Sequence, residues 1–217
     1  MDVLVAGGHG QIARRLLRLL ARNGDNARGL IRNPGHAADL EADGAHPVLC
    51  DLEHDDVRPH VGGAEAIVFA AGAGPGSGDA RKRTVDLGGA LKCIEAAQAA
   101  GVARFLIVSS MNYEDAEHAG PMRPYYEAKR EADEAVRTSG LDWTIVRPGR
   151  LTDAPGTGRV DAAPVLARGG EIPRDDVALV LFECLRAPET IRASFMVLSG
   201  EVPAAVAVRS VGPAAPA

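Results

Sequence analysis

A tyrosine and a lysine one helical turn apart are the residues of this sequence best suited to proton transfer. Tyr125 and Lys129 lie in the stretch PYYEAKREADEAV, residues 124–136. At about 100° per residue, a helix here places both on a small apolar stripe, where Ala or Leu would be usual. The predicted stripe is Tyr125, Ala128, Lys129, Ala132 and Val136, and the predicted opposite face is Tyr126, Glu127, Arg130, Asp133, Glu134 and Arg137. An ammonium beside a tyrosine favours the phenolate form; the alternative is that the pair has no role beyond the helix.

A glycine-rich turn near the start of the sequence has the pattern of a dinucleotide-binding loop. In VLVAGGHGQIARRL it joins a predicted strand to a predicted helix, and its small residues are Gly7, Gly8, Gly10 and Ala13. Small residues let the turn close tightly and let backbone N–H groups approach a pyrophosphate, while the helix N-terminus adds a partial positive charge. The turn therefore predicts a bound dinucleotide, with a purely structural connection as the alternative.

The end of the second predicted strand indicates which dinucleotide is bound. An Asp or Glu about 20 residues beyond the glycines would bind the ribose 2′-hydroxyl of NAD, whereas an arginine suits a 2′-phosphate. This strand ends in GLIRNP, with Arg32 and no carboxylate. A guanidinium matches phosphate geometry with paired donors. The sequence therefore favours NADP(H) over NAD(H), and an exposed arginine without a role is the alternative.

The composition argues against several other classes of function. Of the 217 residues, 46% are hydrophobic and 24% charged, and the formal net charge is −5, so no basic field attracts nucleic acid or anionic lipid. The histidines and the thiols of Cys50, Cys93 and Cys184 lack metal-ligand spacing, and we expect no metal site. No apolar run reaches 18 residues and no signal peptide is recognised. We therefore predict a cytoplasmic protein with three buried thiols, a small-molecule substrate, and neither a nucleic-acid nor a membrane partner.

The elements that must position these residues alternate between strand and helix. Predicted strands lie at DVLVAG, ARGLIR, HPVLCDL, AEAIVFAAG, RFLIVSS and DWTIVRPG. Alternation with helices implies right-handed crossovers and a parallel sheet covered on both faces. We therefore predict an α/β fold with a doubly wound parallel sheet of the Rossmann type. The prediction gives one NAD(P)-binding domain over residues 1–210, with a small C-terminal substrate cap mainly within 150–175 and a disordered tail at 211–217.

As an ordered series, these motifs resemble the short-chain dehydrogenase/reductase superfamily, and within it the atypical, NmrA-like branch of single-domain NAD(P)H-binding proteins. The series includes VAGGHGQIARRL, RGLIRNP, CDL, VFAAGAG, TVDLGGALKCIEAA, RFLIVSS, YYEAKREADEAV, LDWTIVRPGRLTDAPGTGRV and EIPRDDVALVL, and it covers nearly the whole chain. The resemblance implies a cofactor site at the ends of successive strands. Its residues would be Gly7, His9, Gly10, Gln11 and Ile12 at the pyrophosphate, Arg32 at the adenosine phosphate, Asp51 and Leu52 at the adenine, Ala70, Ala71 and Gly72 on the ribose side, and Pro148 and Gly149 near the nicotinamide.

The resemblance also implies a catalytic set of Ser110, Tyr125 and Lys129. In such a set the tyrosine exchanges the proton, the lysine favours its phenolate form and holds the cofactor ribose, and the serine orients the carbonyl. The chain departs from the superfamily at Asp86, in TVDLGG, where an Asn of the proton relay is usual. We therefore predict an NADPH-dependent oxidoreductase that transfers hydride to or from a small carbonyl or quinone-like substrate. The alternatives are a non-catalytic NADP(H) sensor and an NAD(P)-dependent epimerase or isomerase.

Overall fold

The chain builds one large sheet flanked by helices, and the computed structural model describes residues 1–74, 78–111 and 119–213. The strands are β1 (Asp2–Ala6), β2 (Asn26–Ile31), β3 (His46–Leu49), β4 (Ala66–Phe69), β5 (Arg104–Val108), β6 (Asp142–Pro148), β7 (Arg150–Thr152), β8 (Arg159–Ala163), β9 (Glu171–Pro173), β10 (Ala193–Ser199) and β11 (Val202–Pro203). The α-helices are α1 (Gln11–Arg22), α2 (Ala37–Ala42), α3 (Asp79–Arg81), α4 (Gly89–Ala100), α5 (Arg123–Thr138), α6 (Arg174–Cys184) and α7 (Ala204–Ser210). A π-helical segment, Lys82–Gly88, makes α3 and α4 continuous.

The order of strands in the main sheet is β11-β8-β10-β6-β5-β4-β1-β2-β3. Neighbouring strands from β3 through β10 pair in parallel, and β8 runs antiparallel to both β10 and β11. The first strand β1 lies well inside the sheet, and Val3–Ala6 are fully buried, which its uninterrupted apolar run requires. The predicted doubly wound, Rossmann-type α/β fold is confirmed.

The helices cover both faces of the sheet and create two cores. On one face α1, α6 and α7 pack over the sheet, and on the other face α4 and α5 do so. Helix α1 buries Ile12, Ala13, Leu16, Leu17 and Leu20 against the sheet. Helix α4 ends at Ala100. The next residue, Gly101, adopts the left-handed conformation with a φ of 70°, which is common where a helix ends.

The segment 150–175, which the sequence predicts as a substrate cap, contributes three strands. β8 adds to the main sheet, whereas β7 and β9 pair with each other in a separate two-stranded sheet. A role over the substrate stays a prediction. In the predicted tail, Val211 is buried in the core, and residues 214–217 lie outside the described part of the chain.

Helix α5 forms where Tyr125 and Lys129 predict it, and its buried face carries two charged residues. The buried residues are Ala128, Lys129, Ala132, Asp133 and Val136. The assignment of Asp133 to the opposite face was wrong, since this side chain is completely buried. Four residues after Lys129 it lies only about 40° further around the helix, so it faces the same core.

None of the helices in the described part of the chain combines the length and apolar composition that a membrane span requires.

Candidate active site

The glycine-rich turn after β1 closes against the loop that follows β4. Gly7 has a φ of 80°, and a Cβ added to it would lie 2.6 Å from Cα of Ala71. Gly10 donates its N–H to the carbonyl of Gly7 across 2.7 Å, and a Cβ on Gly10 would approach the same carbonyl oxygen to 3.0 Å. Both positions therefore require glycine or a displaced backbone. This contact lies between neighbouring strands β1 and β4, at the point where the strand order reverses and where such sheets bind ligands.

The N-terminus of α1 is built to receive an anion. Gly10 is its N-cap, no side chain among the described residues caps it, and its first turn carries no acidic residue. The first N–H groups of the helix are therefore left for another acceptor, and the helix dipole favours a negative one. Gln11 is exposed there, whereas Ile12 is buried, so Ile12 can reach a pyrophosphate only through its backbone.

His9 is held at the side of this turn by two neighbours. Its Nε2 lies 2.7 Å from Oδ2 of Asp39, and its ring stacks on His36 with centroids 3.6 Å apart. The side chain therefore has a fixed orientation beside the predicted pyrophosphate position.

Arg32 follows β2 as expected. In the structure it faces the carboxylate of Glu53, a contact that the sequence did not predict. Its side chain is 55% exposed, and Nη1 lies 3.7 Å from Oε2 of Glu53, a residue of the loop after β3. Glu53 accepts shorter hydrogen bonds from Thr84 at 2.7 Å and from Arg81 at 2.8 Å. The bond from Thr84, together with Arg81, lowers the pKa of Glu53 despite partial burial. Glu53 is thus ionised and engaged mainly elsewhere, which leaves the Arg32 guanidinium loosely paired.

The loop after β3 is fixed by its own hydrogen bonds. Oδ1 of Asp51 accepts from the N–H of Glu53 at 2.9 Å, and Lys92 on α4 donates to the carbonyl of Leu52 at 2.9 Å. The side chain of Leu52 is buried. Asp51 and Leu52 therefore form a rigid edge at the end of β3, and their contact with an adenine stays a prediction.

The loop after β4, with Ala70, Ala71 and Gly72, is joined to the π-helical segment by Asp86. Oδ2 of Asp86 accepts a hydrogen bond from the N–H of Ala73 at 3.0 Å. A Cβ on Gly72 would lie 3.2 Å from Oδ1 of the same carboxylate. Asp86 is 1% exposed. A π-helical turn is frequent at functional sites, and here it carries the residue that holds the predicted ribose loop.

Lys129 brings the end of β5 and helix α5 together. Its ammonium is buried and donates to the carbonyl of Val108 at 3.1 Å, two residues before Ser110. Nζ lies 5.7 Å from the ring centroid of Tyr125 and 3.2 Å from Oδ1 of Asp86. Tyr125 and Lys129 therefore lie near the carboxyl end of β5, two residues before Ser110, and a shared catalytic role of the three residues stays a prediction.

The charge of Lys129 is set by its surroundings. Burial by itself lowers the pKa of an ammonium, but the neighbouring Tyr125, Asp86 and Asp133 raise the pKa of Lys129 and outweigh that effect. The pKa of Lys129 is raised, so the side chain is protonated at neutral pH.

Ser109 and Ser110 have different environments although they are adjacent. Ser109 is buried and donates to Oδ2 of Asp133 at 2.9 Å, whereas Ser110 is half-buried beyond the end of β5. The interaction of Ser109 with Asp133 was missed by the sequence argument, because the only available signal was a second serine in RFLIVSS.

The ends of β5 and β6 are tied at the predicted nicotinamide position. The N–H of Met111 donates to the carbonyl of Pro148 at 3.1 Å. Gly149 donates to Val197 at 3.1 Å, and a Cβ on Gly149 would lie 2.6 Å from the carbonyl oxygen of Gly170. The backbone here passes closer to the 150–175 segment than any side chain at position 149 would allow.

Other chemistries find little support in residues 1–74, 78–111 and 119–213. They contain no group of three His, Cys, Asp or Glu placed to hold a metal ion. Burial raises the pKa of Cys50 to about 11 and those of Cys93 and Cys184 to about 12, so these thiols are poor nucleophiles. A cleft of about 360 Å³ between α1 and α6 contains none of the predicted site residues; its lining is Arg15, Arg18, Leu19, Arg22, Gly156, Gly158, Asp175, Asp176 and Leu179.

Comparison with known proteins agrees with this site. A family model described as NAD(P)H-binding matches residues 7–188. The uncharacterized sugar epimerase YhfK of Bacillus subtilis is 41% identical over 213 residues, which is 96% of this chain and 99% of that protein.

Two solved structures resemble the chain over almost its whole length. One, from Bacillus halodurans, is provisionally described as a NAD-dependent epimerase/dehydratase; its TM-score is 0.93 and its identity 38%, covering 97% of this chain and 100% of that one. The oxidoreductase ylbE of Lactococcus lactis has a TM-score of 0.83 and 25% identity, covering 97% and 96%. The chain therefore belongs to the NAD(P)H-binding family of Rossmann-fold proteins, within the atypical, NmrA-like part of the short-chain dehydrogenase/reductase superfamily.

Proposed function

We propose that this protein is an NADPH-dependent oxidoreductase acting on a small organic carbonyl or quinone-like substrate, with Tyr125 as the proton donor. The observation that carries the proposal is the buried, protonated Lys129 beside Tyr125, close to the carboxyl end of β5. Burial of an ammonium costs desolvation free energy unless neighbouring groups compensate for the lost water. Here its neighbours are a phenol and a loop of the expected cofactor site.

Each residue of the set has a separate task in carbonyl reduction. The cofactor, when bound, supplies a hydride to the carbonyl carbon. Tyr125 gives its phenolic proton to the carbonyl oxygen, which yields an alcohol, and regains a proton from solvent. Ser110 donates a hydrogen bond that orients the carbonyl, and Lys129 holds the ribose side of the site.

NADPH is our preferred cofactor because the Arg32 guanidinium is exposed and only loosely paired with Glu53. The residues present fit the group: a glycine turn without room for a Cβ, an uncapped helix N-terminus, and an exposed, loosely paired guanidinium at the adenosine end. We propose a cytoplasmic location on the basis of the three thiols.

An NAD(P)-dependent epimerase is the second candidate, because the Bacillus subtilis relative is described as a sugar epimerase and the Bacillus halodurans structure provisionally as an NAD-dependent epimerase/dehydratase. Such a reaction oxidises and then reduces the same carbon, so it consumes no cofactor overall. Tyr125 would accept a proton in the first half and return it in the second.

A reductase assay separates these candidates. The purified protein is mixed with NADPH and a panel of aldehydes, ketones and quinones, and NADPH consumption is followed. We expect turnover by the parent and by Tyr126→Phe, and a loss of about 10²–10⁴ in rate for Tyr125→Phe with NADPH binding retained. Tight NADPH binding without turnover of any panel member would favour the sensor. Exchange of substrate stereochemistry without net NADPH consumption would favour the epimerase.

A further inference from the structure

A carboxylate lies beside the arginine that is predicted to hold the adenosine phosphate. We propose that Glu53 is a specificity-determining residue, whose negative charge opposes the 2′-phosphate of the cofactor and limits the preference for NADPH over NADH. The inference rests on the proposed function only in placing Arg32 at the adenosine end of the cofactor. It concerns the choice between the two cofactors and is independent of the reaction that follows.

The first support is that one carboxylate oxygen faces two guanidinium groups. Oε2 of Glu53 lies 2.8 Å from Nη2 of Arg81 and 3.7 Å from Nη1 of Arg32. Within the described part of the chain, no other carboxylate approaches the Arg32 guanidinium to within 4 Å. A phosphate also binds through paired guanidinium donors. A 2′-phosphate bound by Arg32 would therefore share this guanidinium with Glu53.

The second support is that Glu53 is held in place through both its backbone and its side chain. Its N–H donates to Oδ1 of Asp51 at 2.9 Å, and its carbonyl accepts a hydrogen bond from Lys92 on α4 at 3.0 Å. The side chain is only 16% exposed and accepts bonds from Thr84 at 2.7 Å and from Arg81 at 2.8 Å. Displacing the carboxylate would break these side-chain bonds, so its charge stays close to the predicted phosphate position.

The carboxylate of Glu53 is ionised at neutral pH. The hydrogen bond from Thr84, together with Arg81, lowers the pKa of Glu53, although partial burial acts in the opposite sense. A phosphate monoester carries a charge of about −1.5 to −2 at pH 7. The two anions repel each other, and salt screens this repulsion because Arg32 is exposed.

The variant Glu53→Gln removes the charge and keeps the contacts. The amide oxygen of glutamine can still accept a hydrogen bond from Arg81, and its NH₂ group can donate to Oγ1 of Thr84. The Thr84 hydroxyl has a second acceptor in the carbonyl of Arg81, at 3.4 Å. We therefore expect the variant to fold, and its effect on cofactor binding to report the charge.

The experiment measures the affinities of NADPH and NADH for the parent and for Glu53→Gln by calorimetric titration. We expect NADPH to bind about tenfold more tightly to the variant, because one like charge beside the phosphate is removed. NADH has no 2′-phosphate, so its affinity should change by less than about twofold. The gain for NADPH should shrink as sodium chloride is raised from about 50 mM to about 500 mM. A merely structural effect would change both affinities alike and would not depend on salt.

Two smaller probes repeat the comparison with the adenosine end alone. Adenosine 2′,5′-bisphosphate and adenosine 5′-monophosphate differ only in the 2′-phosphate. The bisphosphate should show the same gain in Glu53→Gln as NADPH, and the monophosphate should show none. A gain for the monophosphate equal to that for the bisphosphate would overturn the inference.

The matched control is Glu131→Gln, because Glu131 also pairs with an exposed arginine, Arg83, at 3.4 Å and is not one of the predicted cofactor residues. Its preference for NADPH over NADH should equal that of the parent. An unchanged or reduced preference in folded Glu53→Gln, or an equal gain in the control, overturns the inference. If Glu53→Gln does not give a cooperative thermal transition, Glu53→Ser removes the same charge with a smaller side chain and carries the same test.

The inference and the proposed function fail separately. A raised preference for NADPH in Glu53→Gln, with no reduction of any substrate by the parent, overturns the oxidoreductase and leaves the role of Glu53 standing. Turnover with NADPH, together with an unchanged preference in Glu53→Gln, overturns the role of Glu53 alone. A parent protein that binds neither cofactor overturns both.

Discussion

The hydroxyl of Ser109 donates a hydrogen bond across 2.9 Å to the carboxylate of Asp133, and both residues are buried. The bond joins the end of β5 to α5 one turn beyond Lys129. The Asp133 carboxylate contributes to raising the pKa of Lys129, which is buried as well. Ser110, the next residue, lies outside this contact and is half-buried.

The two serines should therefore have opposite phenotypes. Ser109→Ala removes a donor from a buried carboxylate, and we expect it to lower the free energy of unfolding by about 1–3 kcal/mol. Ser110→Ala should leave that free energy within about 0.5 kcal/mol of the parent but reduce turnover. Urea unfolding and the reductase assay measure the two effects. A destabilised Ser110→Ala with a stable Ser109→Ala would mean that the roles are reversed.

Lys129→Met should destabilise the protein strongly, because it removes the ammonium that lies 3.2 Å from the buried carboxylate of Asp86. Breaking a buried ion pair in this way typically costs about 3–5 kcal/mol. Adding Asp86→Asn to Lys129→Met should recover part of the loss, as measured by urea unfolding. A double variant less stable than Lys129→Met alone would show that the carboxylate does not depend on the ammonium.

The contribution of Lys129 to stability should persist to high pH. Its pKa is raised in the folded protein, so the stabilisation is complete below the unfolded value of about 10.4 and is lost only as pH rises through the higher folded value. The difference in unfolding free energy between the parent and Lys129→Met should thus be constant from pH 7 to about pH 10. A steady decline of that difference across this range would contradict the assignment.

Arg32→Ala should weaken NADPH binding by about 1.5–3 kcal/mol and leave NADH binding nearly unchanged, because a charge-assisted contact with the 2′-phosphate is lost. Calorimetric titration of both cofactors against parent and variant measures this. Arg58→Ala is a matched control, since Arg58 is also exposed, pairs with Asp56 and is not one of the predicted cofactor residues. Equal affinity of the parent for NADPH and NADH would refute the preference.

Gly10→Val should abolish cofactor binding while the protein keeps a cooperative thermal transition. A Cβ here already meets the Gly7 carbonyl at 3.0 Å, and the two further methyl groups would project towards the predicted pyrophosphate position. Gly62→Val is the control, because its φ is ordinary and no atom lies within 4 Å of an added Cβ. Normal NADPH binding by Gly10→Val would make the turn merely structural.

The sequence by itself determined the parts of this protein that depend on neighbours along the chain. The glycine turn between β1 and α1, the four-residue spacing of Tyr125 and Lys129, and the stop of α4 at Gly101 follow from backbone geometry and local hydrophobic period. The parallel sheet could also be predicted, since alternating strands and helices leave few other arrangements. By contrast, β7, β8 and β9 were not assigned individually, because their short segments are rich in Gly, Pro and Ala and carry little periodic signal.

Only the tertiary structure decided which distant residues meet. Asp86 and Lys129 are 43 positions apart, yet packing of the π-helical segment against α5 brings them within 3.2 Å. Glu53 reaches Arg32 from the loop after β3, and Asp133 on α5 meets the hydroxyl of Ser109 at the end of β5. Burial strengthens the contact between Asp86 and Lys129, since a charge removed from water depends on its few remaining partners. No local pattern specifies those partners, because the order of strands and the packing of helices place them side by side.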